Sequence, residues 1–210
     1  MIKKHLKLML ITSIVILLPI LAGVALWDQL PQQLPFHWNA AGEVDGWASK
    51  PVAVFGTPLL MLALHWLAMV ITAADPKKAQ QSDKIMQMII WLVPLLSVLL
   101  AAFTYASSLG KDLPVERFVP MFLGLFFVII GNYLPKCKQS YTIGIKLPWT
   151  LHSEENWNKT HRLAGWLWVV CGLAIMVSGL LNGFLFLLPL ALVMVFVPMG
   201  YSFLLYRKGV

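Results

Sequence analysis

Of the 210 residues, 59% are hydrophobic and only 12% are charged, about half the charged fraction usual in a soluble domain. A soluble fold with this composition would expose large apolar patches and aggregate, so a soluble enzyme is excluded and an all-α integral membrane protein is expected. The formal net charge of +7 does not point to nucleic acid, because membrane proteins concentrate Lys and Arg on the cytoplasmic side.

Six stretches are long and apolar enough to cross a hydrocarbon core of about 30 Å. In chain order they are predicted at Leu6–Trp27, Val52–Ala74, Ile85–Ser107, Phe118–Leu134, Leu163–Leu181 and Phe184–Tyr206. The first follows Met1-Ile2-Lys3-Lys4-His5-Leu6-Lys7, which resembles the charged start of a signal peptide. Its apolar run is too long for one and no small-x-small cleavage site follows, so it is expected to remain as an anchor. Pro19, Pro58, Pro94, Pro189 and Pro198 fall in the spans and read as kinks, whose freed carbonyls neighbouring helices can satisfy. Asn182-Gly183 leaves room for only a tight turn between the last two spans.

Charge assigns the sides. Lys3, Lys4 and Lys7 lie before or at the start of the first span; Lys77, Lys78 and Lys84 separate the second from the third. Lys136, Lys138, Lys146, Lys159 and Arg162 separate the fourth from the fifth, and Arg207 and Lys208 follow the last. Of the 16 Lys and Arg residues, only Lys50, Lys111 and Arg117 fall on the other side. Both termini are therefore expected in the cytoplasm. The chain divides into two three-helix halves, 1–110 with an outer loop and 111–210 with a cytoplasmic motif at 131–162.

The outer segment, Asp28 to Pro51, contains Leu34-Pro35-Phe36-His37-Trp38-Asn39, Gly42-Glu43 and Asp45-Gly46-Trp47. Pro31 and Pro35 impose extended backbone; Asn39-Ala-Ala-Gly42 and Asp45-Gly46 are turn signals. An ordered cap is expected, with Phe36, Trp38 and Trp47 at headgroup level. His37, Glu43 and Asp45 match no metal-ligand spacing, and a hydrogen-bonded loop is the simpler account of them. His37, Trp38, Asn39, Asp45 and Trp47 are the candidates for contact with an outside partner.

In the second span His65 lies ~20 Å from the outer end. An ionisable residue at that depth is a functional candidate by default; the plainer alternative is a neutral imidazole bonded to a neighbouring helix. Apart from Lys7, at the very start of the first span, no Asp, Glu, Lys or Arg falls within the spans, which disfavours a proton-coupled pump.

The inner segment is the most informative. Pro135 ends the fourth span, Tyr141-Thr142-Ile143-Gly144-Ile145 is extended in character, and Ser153 is a predicted helix cap with Glu154 and Glu155 in the first turn. Glu155 and Lys159 are four apart, as are Trp157 and His161, and the helix is predicted to run past Arg162 into the fifth span. A surface docked on anionic lipid explains this basic, aromatic composition; a docking face for a soluble protein is the sharper reading. Cys137 and Cys171 read as buried fillers. Nothing resembles a phosphate-binding glycine loop, paired catalytic carboxylates or a Ser-His-Asp set, so no catalytic residue, cofactor, metal or direct nucleic acid binding is expected.

Gly131-Asn132-Tyr133-Leu134-Pro135-Lys136, Tyr141-Thr142-Ile143-Gly144-Ile145-Lys146, Pro148-Trp149-Thr150-Leu151, Glu154-Glu155-Asn156-Trp157 and Lys159-Thr160-His161-Arg162 are together similar to the signature of the SdpI family of bacterial membrane proteins. The outer segment resembles the uncharacterised domain that often precedes it. Lys146-Leu147 stands where the family often has Arg-Thr, and Ser140 where Asn is common. The resemblance implies immunity to a secreted, membrane-active peptide toxin in the bacterial cell membrane, and in some members capture of a small cytoplasmic repressor. Its carry-over to cytoplasmic docking singles out Asn132, Pro135, Lys136, Lys138, Tyr141, Gly144, Lys146, Pro148, Trp149, Glu154, Trp157, Lys159, His161 and Arg162. Two other classes stay open: a small-molecule or lipid transporter that uses the kinked helices and His65, and a membrane-embedded enzyme built on His37, Glu43 and Asp45.

Overall fold

The computed structural model describes residues 2–39, 42–111, 113–181 and 184–210, without the side chains of Ile2 and Lys3. Ala40 and Ala41 and the Asn182-Gly183 turn thus lie outside the described residues. The elements in order are α1 (Ile2–Ala25), strands β1 (Gln33–Trp38) and β2 (Val44–Ser49), α2 (Thr57–Ala74), α3 (Asp83–Ser108), α4 (Val115–Tyr133), the short α5 (Pro148–His152), α6 (Glu154–Leu181) and α7 (Leu187–Arg207). Among the described residues, six helices are long and apolar enough to cross a membrane. Their outward faces carry the leucines, valines and phenylalanines that a soluble fold would hide, such as Leu21 at 68% and Leu188 at 67% exposure. This is an all-α multi-pass membrane protein with a small hairpin.

Backbone contacts divide the chain into two compact units, Met1–Ala73 with Met86–Val115, and Ala74–Ile85 with Glu116–Val210. In the first, α1 is held by side chains reaching its backbone near Pro19. The Ser97 hydroxyl donates to Ile16 O at 3.1 Å and the Tyr105 hydroxyl to Pro19 O at 3.0 Å. Both anchor α1 to α3 within one turn of its proline. Pro58 does not break its helix either: a π turn, Val52–Gly56, immediately precedes α2 and absorbs the misfit. Pro189 proves not to be a kink, because it lies in the first turn of α7, where a missing N–H costs little.

The second unit is built on glycines. Gly124 and Gly131 of α4 face Gly172 and Gly165 of α6, with Gly179 farther along the same stripe. A Cβ on Gly172 would stand 2.7 Å from Gly124 O, and one on Gly131 would stand 2.9 Å from Gly165 O. Helix backbones therefore touch directly, the means by which small residues drive association where lipid removes the hydrophobic effect. Gly172→Ala is expected to cost about 1–3 kcal/mol, seen as a lower thermal midpoint in detergent. Gly200→Ala, with nothing within 4 Å of its Cβ, should leave the midpoint unchanged; equal midpoints for the two variants would contradict the packing account.

On the other side of α6, the Trp168 indole donates to Met194 O at 3.0 Å. The fully buried Asn156 donates to Ser202 O and Val210 O while accepting from Ser202 Oγ at 2.6 Å and Thr160 Oγ1 at 3.1 Å. One amide, with every polar atom bonded, ties α6 to α7 and to the C-terminus.

Candidate functional site

In the first unit the outer segment is an antiparallel hairpin with register breaks around His37. The expected Asp45-Gly46 turn is absent: both residues lie inside β2, and glycine is needed at 46 because a Cβ would approach His37 Cβ to 2.8 Å. The reversal belongs to Asn39 and Gly42 instead. Gly42 has φ +81°, and the Asn39 carboxamide accepts from Glu43 N and donates to Glu43 Oε2, both at 3.1 Å.

Leu34, fully buried, plugs the hairpin into a core of Leu30, Ala53, Val54 and Tyr105. Lys50, buried at its base, donates to Trp27 O at 2.9 Å and lies 5.1 Å from the Trp27 ring centre. Around this core the hairpin is open. Phe36 and Trp47 are 51% and 58% exposed, and His37 Nδ1 lies 2.5 Å from Asp45 Oδ1. With Glu43 tied to Asn39 and Asp45 to His37, the three outer candidates do not converge, and among the described residues no group of three His, Cys, Asp or Glu is placed to hold a metal. Trp38 is half-buried and lines, with Phe36, Pro58, Met61 and Ser97, a cavity of about 200 Å³.

His65 is buried 3.1 Å from Thr12 Oγ1. Thr12 gives its one proton to the carbonyls of Leu8 and Met9, so the imidazole Nε2–H is the donor. The neighbouring Trp66 indole donates to Ser13 Oγ at 3.0 Å.

The second unit holds the inner motif, and its organiser is a residue that sequence reasoning missed. Asp75, 2% exposed, directs Oδ2 at one stretch of chain. That oxygen accepts from Ser140 Oγ at 2.5 Å, Tyr141 N at 2.9 Å, Thr142 N at 3.1 Å and Thr142 Oγ1 at 2.9 Å. Oδ1 accepts from Lys77 N at 2.7 Å. Residues 141–144, expected to be extended, are instead a succession of bends wrapped around this carboxylate. The only sequence sign was an Asp-Pro pair just past an apolar run. Burial raises the Asp75 pKa, but the bonds from Ser140, Lys77, Thr142 and Tyr141 outweigh it and hold the carboxyl below its ordinary value.

Glutamines complete the frame. The buried Gln139 donates to Thr150 O and Leu151 O and accepts from Lys77 Nζ. Gln81 bonds both the N–H and the carbonyl of Lys138. Beneath them, Trp157 and His161 are stacked with ring centres 4.0 Å apart. The Trp157 indole donates to Cys137 O at 2.9 Å, His161 Nδ1–H donates to Trp157 O, and His161 Nε2 accepts from Ile145 N at 2.9 Å. Both bonds of the imidazole require its neutral form. Gly144, at φ +101°, lies flat against this pair: a Cβ would meet His161 Nε2 at 2.5 Å.

Helix α6 begins as the sequence indicated. Ser153 Oγ accepts from Asn156 N at 3.1 Å, Glu154 and Glu155 fill the first turn, and Lys159 meets Glu155 at 2.7 Å. Trp149, from α5, packs on Phe203 and Tyr206 of α7 with ring centres 5.4 and 5.9 Å away. Its indole N–H is the buried donor left without a partner among the described residues.

Apart from the half-buried Trp149, the fourteen cytoplasmic candidates fall into two kinds. Trp157 and His161 are 0% and 1% exposed and, with Gly144, form the interior of the motif. Asn132, Pro135, Lys136, Lys138, Tyr141, Lys146, Pro148, Glu154, Lys159 and Arg162 are exposed and make its face. Lys146 Nζ reaches back to Thr142 O at 3.2 Å, and Lys77 Nζ lies 5.6 Å from the Tyr141 ring centre.

Cys137 and Cys171 are free and buried. Burial pushes the Cys137 thiol up to about 11, which leaves only about one thiolate in ten thousand at pH 7. Maleimide is therefore expected to spare Cys137 in the folded protein at pH 7 and to label it after denaturation, by peptide mapping. Ready labelling of the folded protein would contradict its placement.

Residues 136–202 match the model of the SdpI/YfhL protein family, and residues 14–62 match a domain of unknown function, DUF1648. The immunity protein SdpI of Bacillus subtilis (strain 168) is 27% identical over 186 residues, 88% of this chain and 88% of that protein. Over residues 136–202 the chain is thus similar to the SdpI/YfhL family. With its six long apolar helices and this likeness, it is a multi-pass protein of the bacterial cell membrane. The SdpI match begins at Lys136 and takes in the stretch wrapped around Asp75, whereas Asp75 lies outside both matched segments. No solved structure matches the chain.

Proposed function

We propose that this protein protects the cell that makes it from a secreted, membrane-active peptide toxin, with the outer hairpin meeting the toxin and the exposed face of the inner motif engaging a small cytoplasmic repressor. The observation that carries this reading is the likeness to an immunity protein along 88% of both chains. The hairpin supports it: Phe36 and Trp47 are exposed beside the polar His37 and Asp45, a mixture suited to a peptide that is itself amphipathic. The inner face supports it too, because Lys136, Lys138, Lys146 and Tyr141 stand on a frame of buried hydrogen bonds that fixes where they point. The distribution of Lys and Arg supports a hairpin outside the cell and a motif in the cytoplasm. A transporter has less support, since its best candidate, His65, is buried and bonded to Thr12.

The two faces separate in one experiment on a toxin-sensitive strain that expresses the protein. Replacing Phe36 and Trp47 by alanine is expected to abolish survival under toxin with membrane levels unchanged. Reversing charge at Lys136, Lys138 and Lys146 is expected to spare survival and abolish toxin-dependent derepression of a reporter. Full survival of the hairpin variant would overturn the outer assignment, and an unchanged reporter would overturn the inner one.

A further inference from the structure

A groove of about 350 Å³ runs between the end of α4 and α6, lined by Gly131, Asn132, Pro135, Lys136, Gly165, Trp166 and Val169. It exists because Gly131 and Gly165 carry no side chains where the helices cross, and because Pro135 packs on the bare face of Gly165. We propose that this groove binds an anionic phospholipid, its phosphate on Lys136 and part of an acyl chain along Gly165, Trp166 and Val169.

Three observations select this occupant. The first is depth: Lys136 is the last residue of the membrane span Val115–Lys136, so its ammonium lies at headgroup level on the Lys- and Arg-rich side. The second is charge. Lys136 Nζ lies 3.4 Å from the Asn132 carboxamide oxygen and 5.0 Å from the Tyr133 ring centre, two neutral groups that orient the ammonium without neutralising it. Among the described residues no carboxylate lines the groove, and Arg162 is exposed one turn before Trp166 on the same face of α6. The third is the wall. Trp166 is 70% exposed, and its indole beside Val169 offers an apolar surface that a free anion cannot use. Basic pockets between membrane helices at the cytoplasmic face have this chemistry.

The inference does not depend on the toxin reading, and its test needs no toxin. The full-length protein in detergent is titrated with dioleoylphosphatidylglycerol or dioleoylphosphatidylcholine, and retained lipid is counted by native mass spectrometry. The anionic lipid is expected to be retained preferentially. Lys136→Gln should lower its retention about fivefold, and Val169→Trp, which fills the groove, should lower it as well. Lys138→Gln, outside the groove, should leave it unchanged, and glycerol 3-phosphate should not displace the lipid. Equal retention of the two lipids, no effect of Lys136→Gln, or an equal effect of Lys138→Gln would overturn the site. Displacement by glycerol 3-phosphate would reduce it to a phosphate site and overturn the lipid assignment.

Discussion

Replacing Asp75 with alanine is expected to release the whole stretch from Cys137 to Ile145 while leaving the six helices in place. Its buried carboxylate is the shared acceptor for four bonds from Ser140, Tyr141 and Thr142 and for a fifth from Lys77 N. Removing the acceptor strands donors in an interior too closed for water to replace it fully. At about 1–3 kcal/mol for each buried donor left unmade, the local cost is about 3 kcal/mol or more. Hydrogen exchange at the Tyr141 and Thr142 amides should accelerate sharply, and Cys137 should become open to maleimide. Unchanged protection of these amides would show that the stretch holds its shape without the carboxylate.

The same carboxylate sets an acid limit. Its folded pKa is depressed below the ordinary 3.8, so its contribution is complete above that pH and is lost as pH falls through the lower folded value. The loop should therefore stay protected from neutral pH down to about 4 and loosen only in stronger acid. Asp75→Asn, which cannot titrate, should be loosened at every pH.

Gly144→Ala is expected to be the second severe change, for a different reason. At φ +101° an alanine is strained whatever the space, and here its methyl would lie 2.5 Å from His161 Nε2 and 2.8 Å from the Trp157 ring. Backbone strain of about 1–3 kcal/mol and overpacking of similar size sum to about 2–6 kcal/mol. The methyl also falls on the atom that accepts from Ile145 N. Gly209→Ala is the control, since it too has positive φ, +83°, but nothing within 4 Å, so it carries the strain alone. A lower thermal midpoint and faster exchange at Ile145 in Gly144→Ala, well beyond the Gly209→Ala effect, are the expected results. Equal effects would show that the Trp157–His161 stack yields without cost.

The architecture was readable because lipid demands long apolar runs. The start of α6 was readable because Ser153, Glu155 and Lys159 act within one or two helical turns of each other. Local signals misled in the outer segment. Asp45-Gly46 has turn chemistry, but the bulged pairing with His37 keeps it inside a strand, with glycine selected by a cross-strand approach rather than by a reversal. The contacts that shape the inner motif were illegible for a plainer reason. Asp75 and Ser140 are far apart in sequence, and a single carboxylate after an apolar span looks like an ordinary loop residue until the chain returns to it. The glycine stripe of α4 and α6 was legible in principle, as small residues at seven-residue spacing, but only once the two helices are known to pair. Trp157 and His161 stood out by residue type, and type alone could not tell an interior pair from an exposed one.

The most direct test of the account is membrane potential in a sensitive bacterial strain, followed with a potential-sensitive dye as a purified membrane-active peptide of the secreted toxin class is added, with and without this protein. The account predicts rapid depolarisation in cells that lack the protein and a maintained potential in cells that carry it. Equal depolarisation in both, with the protein inserted at normal levels, would contradict a role in immunity.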